Sequence, residues 1–358
     1  MSAAPDDDIA RRPLRIAHVG PVATTIPPSR SSSVETMTSL LTEGLVAAGH
    51  DVTLFATGAS KTGARLHATF EKGYWEDGGL WPWELCEMFN LAAAIERADQ
   101  FDIIHYESMY YPMSLAFSRV SPTPVVQTIH HAPGAAEVAL WSRYADAPFI
   151  AISGEQARLL AGLNVAGTVL HAIDVPRFRF SPTPADYLLF LGRFTEGKGV
   201  LQAIEVARRV KMQLLLVAAE NDYYREHVQP QVDGSQIVYV GEADHDAKVR
   251  LFGGARALLY PVQLREPFGL VLAEAMACGT PVAALDKGAV TEVVDAGVTG
   301  HVFDSLDAMI EGLPRVMALD RAAVRARAEE RFGVPRMVAG YVKAYRRIIG
   351  GARAPTSR

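Results

Sequence analysis

The chain has 358 residues, 49% apolar and 21% charged, with 35 Lys and Arg against 40 Asp and Glu for a formal net charge of -5. That length suggests about two domains of roughly 150 residues each, and the apolar content excludes a disordered or collagenous chain. Two cysteines, Cys86 and Cys278, exclude a disulfide scaffold, and scattered basic residues argue against a nucleic-acid binder, which needs clustered Lys and Arg.

Residues 1–12, MSAAPDDDIARR, hold no apolar run and so do not read as a signal peptide, and no eighteen consecutive apolar residues mark a membrane span. With so few cysteines, a reducing, cytoplasmic location is expected. Strand-like runs follow at LRIAHVG (14–20), DVTLFAT (51–57), RLHATF (65–70), FDIIHYE (101–107), TPVVQTIHH (123–131), FIAIS (149–153) and TVLHAI (168–173). Most are too apolar to alternate, which implies burial on both faces, as in parallel sheets. Between the first two runs, Val34, Met37, Leu41, Leu45 and Ala48 recur at helical spacing, with Gly49 as the stop.

The stretch 174–186 carries Pro176, Pro182 and Pro184 and no apolar period, which marks a linker. A second series begins after it: DYLLFLGR (186–193), QLLLVAA (213–219), QIVYVGE (236–242), ARALLYPVQ (255–263), TPVAALD (280–286) and HVFDS (301–305). The last helical stretch, VPRMVAGYVKAYRRII, ends in basic residues, as a helix C-terminus prefers. The fold class is therefore α/β, with two parallel-sheet domains.

Open parallel sheets bind ligands beyond the carboxyl ends of their strands, so two such domains facing each other are expected to enclose a cleft. Three strand-end segments qualify. In LGRFTEGKG, Arg193 and Lys198 flank a flexible loop, and two cations there suit a diphosphate, although a solvated loop reads equally well. In REPFGLVLAEAMACGTPV (265–282), Gly269 to Cys278 reads as a helix whose first amides favour an anion, closed by Gly279 and Pro281. Glu266 and Glu274 suit hydroxyl groups, which donate to carboxylates; the bland reading of Glu274 is a surface salt bridge. After PVVQTI, His130 and His131 project to opposite faces, a poor arrangement for joint metal ligation. The ten histidines are scattered along the chain, and no HExxH, paired CxxC, GxSxG or P-loop motif is present. Neither a metal nor a cofactor is expected.

Together these segments resemble the retaining, GT-B-fold glycosyltransferases of family 4. The most specific element is Glu266-Pro-Phe-Gly-Leu-x3-Glu274-Ala-Met-Ala-x-Gly279-x-Pro281, similar to the family's Glu-x7-Glu signature; LGRFTEGKG is similar to its phosphate loop, and TIHH, AISGEQ and LHAIDVPRF to its N-terminal segments. The resemblance implies two Rossmann-like domains, 13–178 for the acceptor and 184–334 for the donor, with the helix 335–350 packing back on the first. It implies that Arg193 and Lys198 hold the donor diphosphate with the amides of Phe268, Gly269 and Leu270. Glu274 would accept from the ribose, Glu266 from the donor sugar, and Val240, Gly241 and Glu242 would seat the base. His130 would approach the donor sugar and phosphate. The family often has Gly-Gly before a Glu in the first loop, whereas this chain has Ser32 and Ser33 before Val34 and Glu35, a departure on the acceptor side. Glu107, Tyr110 and Tyr111 follow a strand and are also assigned there.

The expected activity is metal-independent transfer of a hexosyl group from a UDP- or GDP-sugar to an acceptor hydroxyl. A sugar phosphorylase, a nucleotide-sugar hydrolase or epimerase, and a non-catalytic nucleotide-sugar binder are the alternatives. Trp81, Trp83 and Phe89 leave peripheral membrane contact open, but without accompanying Lys or Arg they read first as core or acceptor pocket.

Overall fold

The apolar runs become the strands of two parallel sheets, since a strand covered by helices on both faces has no solvent side toward which to alternate. The computed structural model describes residues 12–29, 32–108 and 110–353; the acidic run Asp6 to Asp8 lies outside them. It divides into two units, Met1–Ala172 with Val334–Arg358, and Ile173–Gly333.

The first unit contains β1 (Arg15–Val19), β2 (Asp51–Ala56), β3 (Arg65–Ala68), β4 (Ile103–Ser108), β5 (Val125–Ile129), β6 (Pro148–Ala151) and β7 (Asn164–Thr168), in the order β3-β2-β1-β4-β5-β6-β7. Every pairing is parallel. The strand expected at 168–173 lies earlier, at Asn164–Thr168, because β7 pairs with β6 from Asn164 onward. Beyond it the chain leaves the sheet, and Ile173 forms a bridge with Gly333. Helix α1 (Ser33–Ala47) buries Val34, Met37, Leu41 and Leu45, the face its spacing predicts. The closing helix, Val334–Arg353, packs Met337, Tyr341, Tyr345 and Ile349 into a core with Leu14, Ile16, Leu41 and Leu45. Burial of each such large apolar side chain stabilises by about 1.5–3 kcal/mol.

The second unit contains β8 (Tyr187–Leu191), β9 (Gln213–Val217), β10 (Ile237–Gly241), β11 (Ala257–Tyr260), β12 (Val282–Leu285) and β13 (Gly300–Phe303), in the order β10-β9-β8-β11-β12-β13 and again all parallel. Its core joins Leu188, Phe190, Ile204, Leu216 and Leu259. The expected α/β class, with two parallel sheets, is the architecture found.

In each sheet the strand order reverses once, between β1 and β4 in the first unit and between β8 and β11 in the second. At such a reversal the connections diverge to opposite faces and leave a crevice at the carboxyl ends of the strands, where ligands of open α/β sheets bind. The functional reading therefore concentrates on the residues that follow those four strands.

Candidate functional site

At the β8/β11 reversal the chain leaving β8 turns through Thr195, whose hydroxyl accepts from the amide of Lys198 at 3.3 Å. Gly199 follows with φ +77° and starts helix Val200–Val210; a Cβ there would lie 1.9 Å from the Pro261 carbonyl oxygen, so only glycine lets the loop approach the segment after β11. That close approach delivers Lys198 to Glu266, with Nζ 2.5 Å from Oε2. The buried Tyr260 hydroxyl donates to the same carboxylate oxygen, and burial followed by the Glu266 charge pushes that phenol well above its ordinary range. Gly288, at φ +64°, fits against the Glu266 backbone, where a Cβ would lie 2.3 Å from its carbonyl oxygen. The Glu266 carbonyl in turn accepts from Ala289 at 2.8 Å.

Glu266 leads through Pro267, Phe268 and Gly269 into helix Leu270–Ala277. The first amides of a helix have no intrahelical acceptor, so those of Gly269 and Leu270 are available to an anion. Phe268 is buried, and its ring meets Phe332 edge-on at 5.8 Å. Arg193 is exposed and makes no ion pair among the described residues. Glu274, on the helix, lies 3.8 Å from Lys248, both side chains largely covered. Val240, Gly241 and Glu242 end β10 on the same carboxyl edge of the sheet, with Gly241 at φ +95° and Glu242 exposed.

The β1/β4 reversal in the first unit carries a different cluster. His18 on β1 and His105 on β4 are register partners whose rings stack at 5.0 Å, and Glu107, the penultimate residue of β4, is buried. Glu107 Oε1 lies 3.1 Å from His18 Nε2, and Oε2 lies 2.8 Å from His130 Nε2. His130, just after β5, meets His171 Nε2 through Nδ1 at 3.3 Å, with the two rings stacked. His105 bonds Thr128 at 2.9 Å and the Tyr345 hydroxyl at 2.7 Å. Burial alone would raise the Glu107 carboxyl, but His105, His130 and His18 override it and hold the group well below the usual range. Burial lowers His105 and His171 to about 3, so both are neutral at pH 7. The ligand-type atoms of His18, His105 and Glu107 lie within 4.8 Å of one another, and they are engaged in this hydrogen-bonded network.

Four of the ten histidines read as scattered, His18, His105, His130 and His171, thus converge, and the signal for it lay in IAHVG and IIHYE, where a polar ring interrupts each of two buried strands. Glu107, expected on the acceptor side, is instead buried, and it touches His130 and not the surface. His131 is engaged separately, Nε2 3.0 Å from Glu137 Oε1, while its carbonyl accepts from Gln156 at 2.8 Å.

On the expected acceptor side, Ser32 donates to Glu35 Oε2, and Glu35 is wholly buried, with Oε1 lacking a partner among the described residues. Burial raises that carboxyl's pKa. Ser33 is exposed. Tyr110 and Tyr111 border an aromatic depression with Trp83, while Trp81 and Phe89 are exposed and not core. Cys86 and Cys278 are both buried free thiols. No helix among the described residues is long and apolar enough to cross a membrane.

With this geometry in place, the chain's relatives are informative. A family model described as Glycosyl transferases group 1 matches residues 175–331, and one described as Glycosyltransferase Family 4 matches residues 34–174. The chain is 30% identical over 293 residues to a phosphatidyl-myo-inositol mannosyltransferase of Propionibacterium freudenreichii, covering 72% of this chain and 73% of that one. Among solved structures, AviGT4, a glycosyltransferase involved in avilamycin A biosynthesis, matches with a TM-score of 0.71 at 22% identity, covering 95% of this chain and 99% of that one. Anabaena HepE in complex with UDP-glucose matches with a TM-score of 0.64 at 16% identity, covering 91% and 97%. At those identities the solved structures speak for the fold. The adjoining family models and the mannosyltransferase alignment together show that the chain belongs to the group 1, family 4 glycosyltransferases.

Proposed function

We propose that the enzyme transfers a hexosyl group from a nucleoside diphosphate sugar, UDP- or GDP-linked, to an acceptor hydroxyl with retention of the α-configuration and without a divalent ion. The observation that carries this reading is the Lys198–Glu266 pair at 2.5 Å, set at the sheet reversal, with Glu266 three residues before Gly269 and the open amides that start helix Leu270–Ala277. Without a donor, the carboxylate compensates the lysine. An arriving diphosphate takes over Lys198, Arg193 and the helix amides, which leaves the Glu266 carboxylate to accept from a sugar hydroxyl. As the bond to the anomeric carbon breaks, charge grows on the β-phosphate, where two cations and aligned amides stabilise it. The acceptor's proton passes to that phosphate on the same face of the sugar. Glu274 accepts from the ribose, and Val240, Gly241 and Glu242 seat the base.

In this reading the first unit serves the acceptor through Ser32, Ser33 and Tyr110, with the buried Glu35 holding the Ser32 hydroxyl. His130 serves the donor sugar, with Glu107 as the residue that positions its ring. The UDP-glucose complex of Anabaena HepE supports a nucleotide-sugar donor, and a cytoplasmic location is part of the proposal. A thermal-shift series of UDP-, GDP-, ADP- and TDP-sugars identifies the donor, because a ligand bound only by the native state raises its stability. With that donor, Lys198→Ala and Glu266→Ala are expected to lower kcat by roughly two to three orders of magnitude, and EDTA to leave the wild-type rate unchanged. Unchanged rates in both variants, or complete loss with chelator, overturn the reading.

A further inference from the structure

Both side-chain donors to Glu266 converge on one of its two carboxylate oxygens. Lys198 Nζ lies 2.5 Å from Oε2 and the Tyr260 hydroxyl donates to the same atom, while Oε1 takes no hydrogen bond among the described residues. Tyr260 meets the other half of the ion pair as well, since Lys198 Nζ stands 5.9 Å from the centre of its ring. It closes β11, one of the two strands at the reversal of the second sheet, and is 4% exposed. Its hydroxyl lies beside the helix start, where a Cβ on Gly269 would come within 3.3 Å of it.

The backbone of Glu266 is fixed without help from Lys198. Its carbonyl accepts from the Ala289 amide, Gly288 packs closely against it, and the following Pro267 narrows its backbone choices. The freedom left to the residue therefore lies in its side chain, which gains rotamers when a partner departs. Of the two donors, the lysine is the one built to depart. It ends a flexible four-carbon stem with about a fifth of its side chain exposed, whereas the phenol is buried on a strand of the sheet. Burial and the neighbouring carboxylate hold that phenol well above its ordinary range, so it stays a donor at neutral pH. A phenylalanine would fill the same space, and what the hydroxyl adds is one hydrogen bond to a charged acceptor.

We infer that Tyr260 is the positioning residue of the donor exchange: its hydroxyl keeps Oε2 of Glu266 in place after a diphosphate has drawn Lys198 away, so that Oε1 stays open to a hydroxyl of the donor sugar. This rests on the proposed transferase reading, in which Lys198 changes partners. Tyr260 acts through Glu266 and touches no substrate atom itself.

The test is calorimetric titration of the full chain with inorganic diphosphate, UDP and GDP, each in the presence of EDTA, across a double-mutant cycle. Glu266→Ala frees Lys198 and is expected to bind these probes at least about threefold tighter than wild type. Tyr260→Phe keeps the ring and removes the hydroxyl. Glu266 then depends on Lys198 alone, and the probes are expected to bind roughly three- to tenfold more weakly. In the Glu266→Ala background the same change is expected to alter affinity by less than about twofold, because the phenol has no carboxylate left to hold. A purely structural role for the hydroxyl would weaken binding by the same factor in both backgrounds. Binding by Tyr260→Phe as tight as wild type, weakening that persists undiminished without Glu266, or loss of the near-ultraviolet circular dichroism of folded protein in Tyr260→Phe overturns the inference and leaves the transferase reading standing. Failure of the wild-type chain to bind any of the three probes overturns the transferase reading itself, and this inference with it.

Discussion

Each unit ends a central strand near a glutamate at the point where its strand order reverses, and Glu107 and Glu266 are held there by opposite means. Glu107 is buried, with its carboxylate oxygens 2.8 to 3.7 Å from ring nitrogens of His18, His105 and His130. Glu266 faces Lys198, which has about a fifth of its side chain exposed. The first arrangement spends its glutamate on holding other side chains in place, whereas the second keeps its glutamate beside a partly exposed lysine and open amides, ready to exchange partners. A carboxylate at a sheet reversal is thus a sign of a built position, and the partner decides whether that position is structural or exchangeable.

The contrast breaks most directly by truncation. Glu107→Ala leaves two buried histidine contacts without their acceptor and is expected to cost about 3–5 kcal/mol. Glu266→Ala releases a partly exposed lysine and orphans one phenol, and is expected to cost about 1–2 kcal/mol. Urea denaturation of both variants checks this, and equal losses would erase the distinction.

Acid sharpens the same comparison. His105 and His171 are lowered to about 3, chiefly by burial, whereas in an unfolded chain they titrate near 6.5. The unfolded state therefore takes up protons first as pH falls, so the stability these rings contribute is complete above pH 6.5 and is lost progressively between 6.5 and 3. At pH 5 the loss is about 2 kcal/mol for each. Glu87 works in the other direction: burial raises it from 4.5 to about 8, so its contribution is present below pH 4.5 and is lost as pH rises toward 8. Hydrogen exchange at pH 5 is expected to show β1, β4 and β5 losing protection before β8 and β11; simultaneous loss would contradict this account.

A smaller effect is expected at Ser32. Removing the hydroxyl that donates to Glu35 leaves a buried carboxylate with less compensation, and Ser32→Ala is expected to cost about 1–2 kcal/mol in a denaturant titration. Smallest of all is Trp75→Ala, whose exposed ring should change stability by no more than about 0.5 kcal/mol. A loss above about 2 kcal/mol would show that the Trp75 ring carries packing its exposure does not suggest.

The two series of apolar runs, the helix face of Val34, Met37, Leu41 and Leu45, and the loop around Lys198 were legible because each depends on neighbours a few residues away. Gly199 and the signature from Glu266 to Pro281 show it well: tight turns and a helix start leave a local pattern of glycine, proline and charge. The strand expected at 168–173 was misplaced because an apolar run marks burial without marking where pairing stops. Glu107 looked like a site residue from its place after a strand, and its burial followed from partners on other strands.

By itself the sequence determined the α/β class, the two sheets and the placing of Lys198 and Glu266 in two separate motif-bearing segments, since those rest on short-range periodicity and turn chemistry. The tertiary structure alone decided that His18, 89 residues from Glu107, would share its carboxylate. It also decided that five aromatic rings from three segments, Tyr74, Trp75, Trp83, Tyr110 and Tyr111, would line one depression. The physical reason is strand register and helix docking: side chains far apart along the chain meet only after a sheet has set which residues stand side by side.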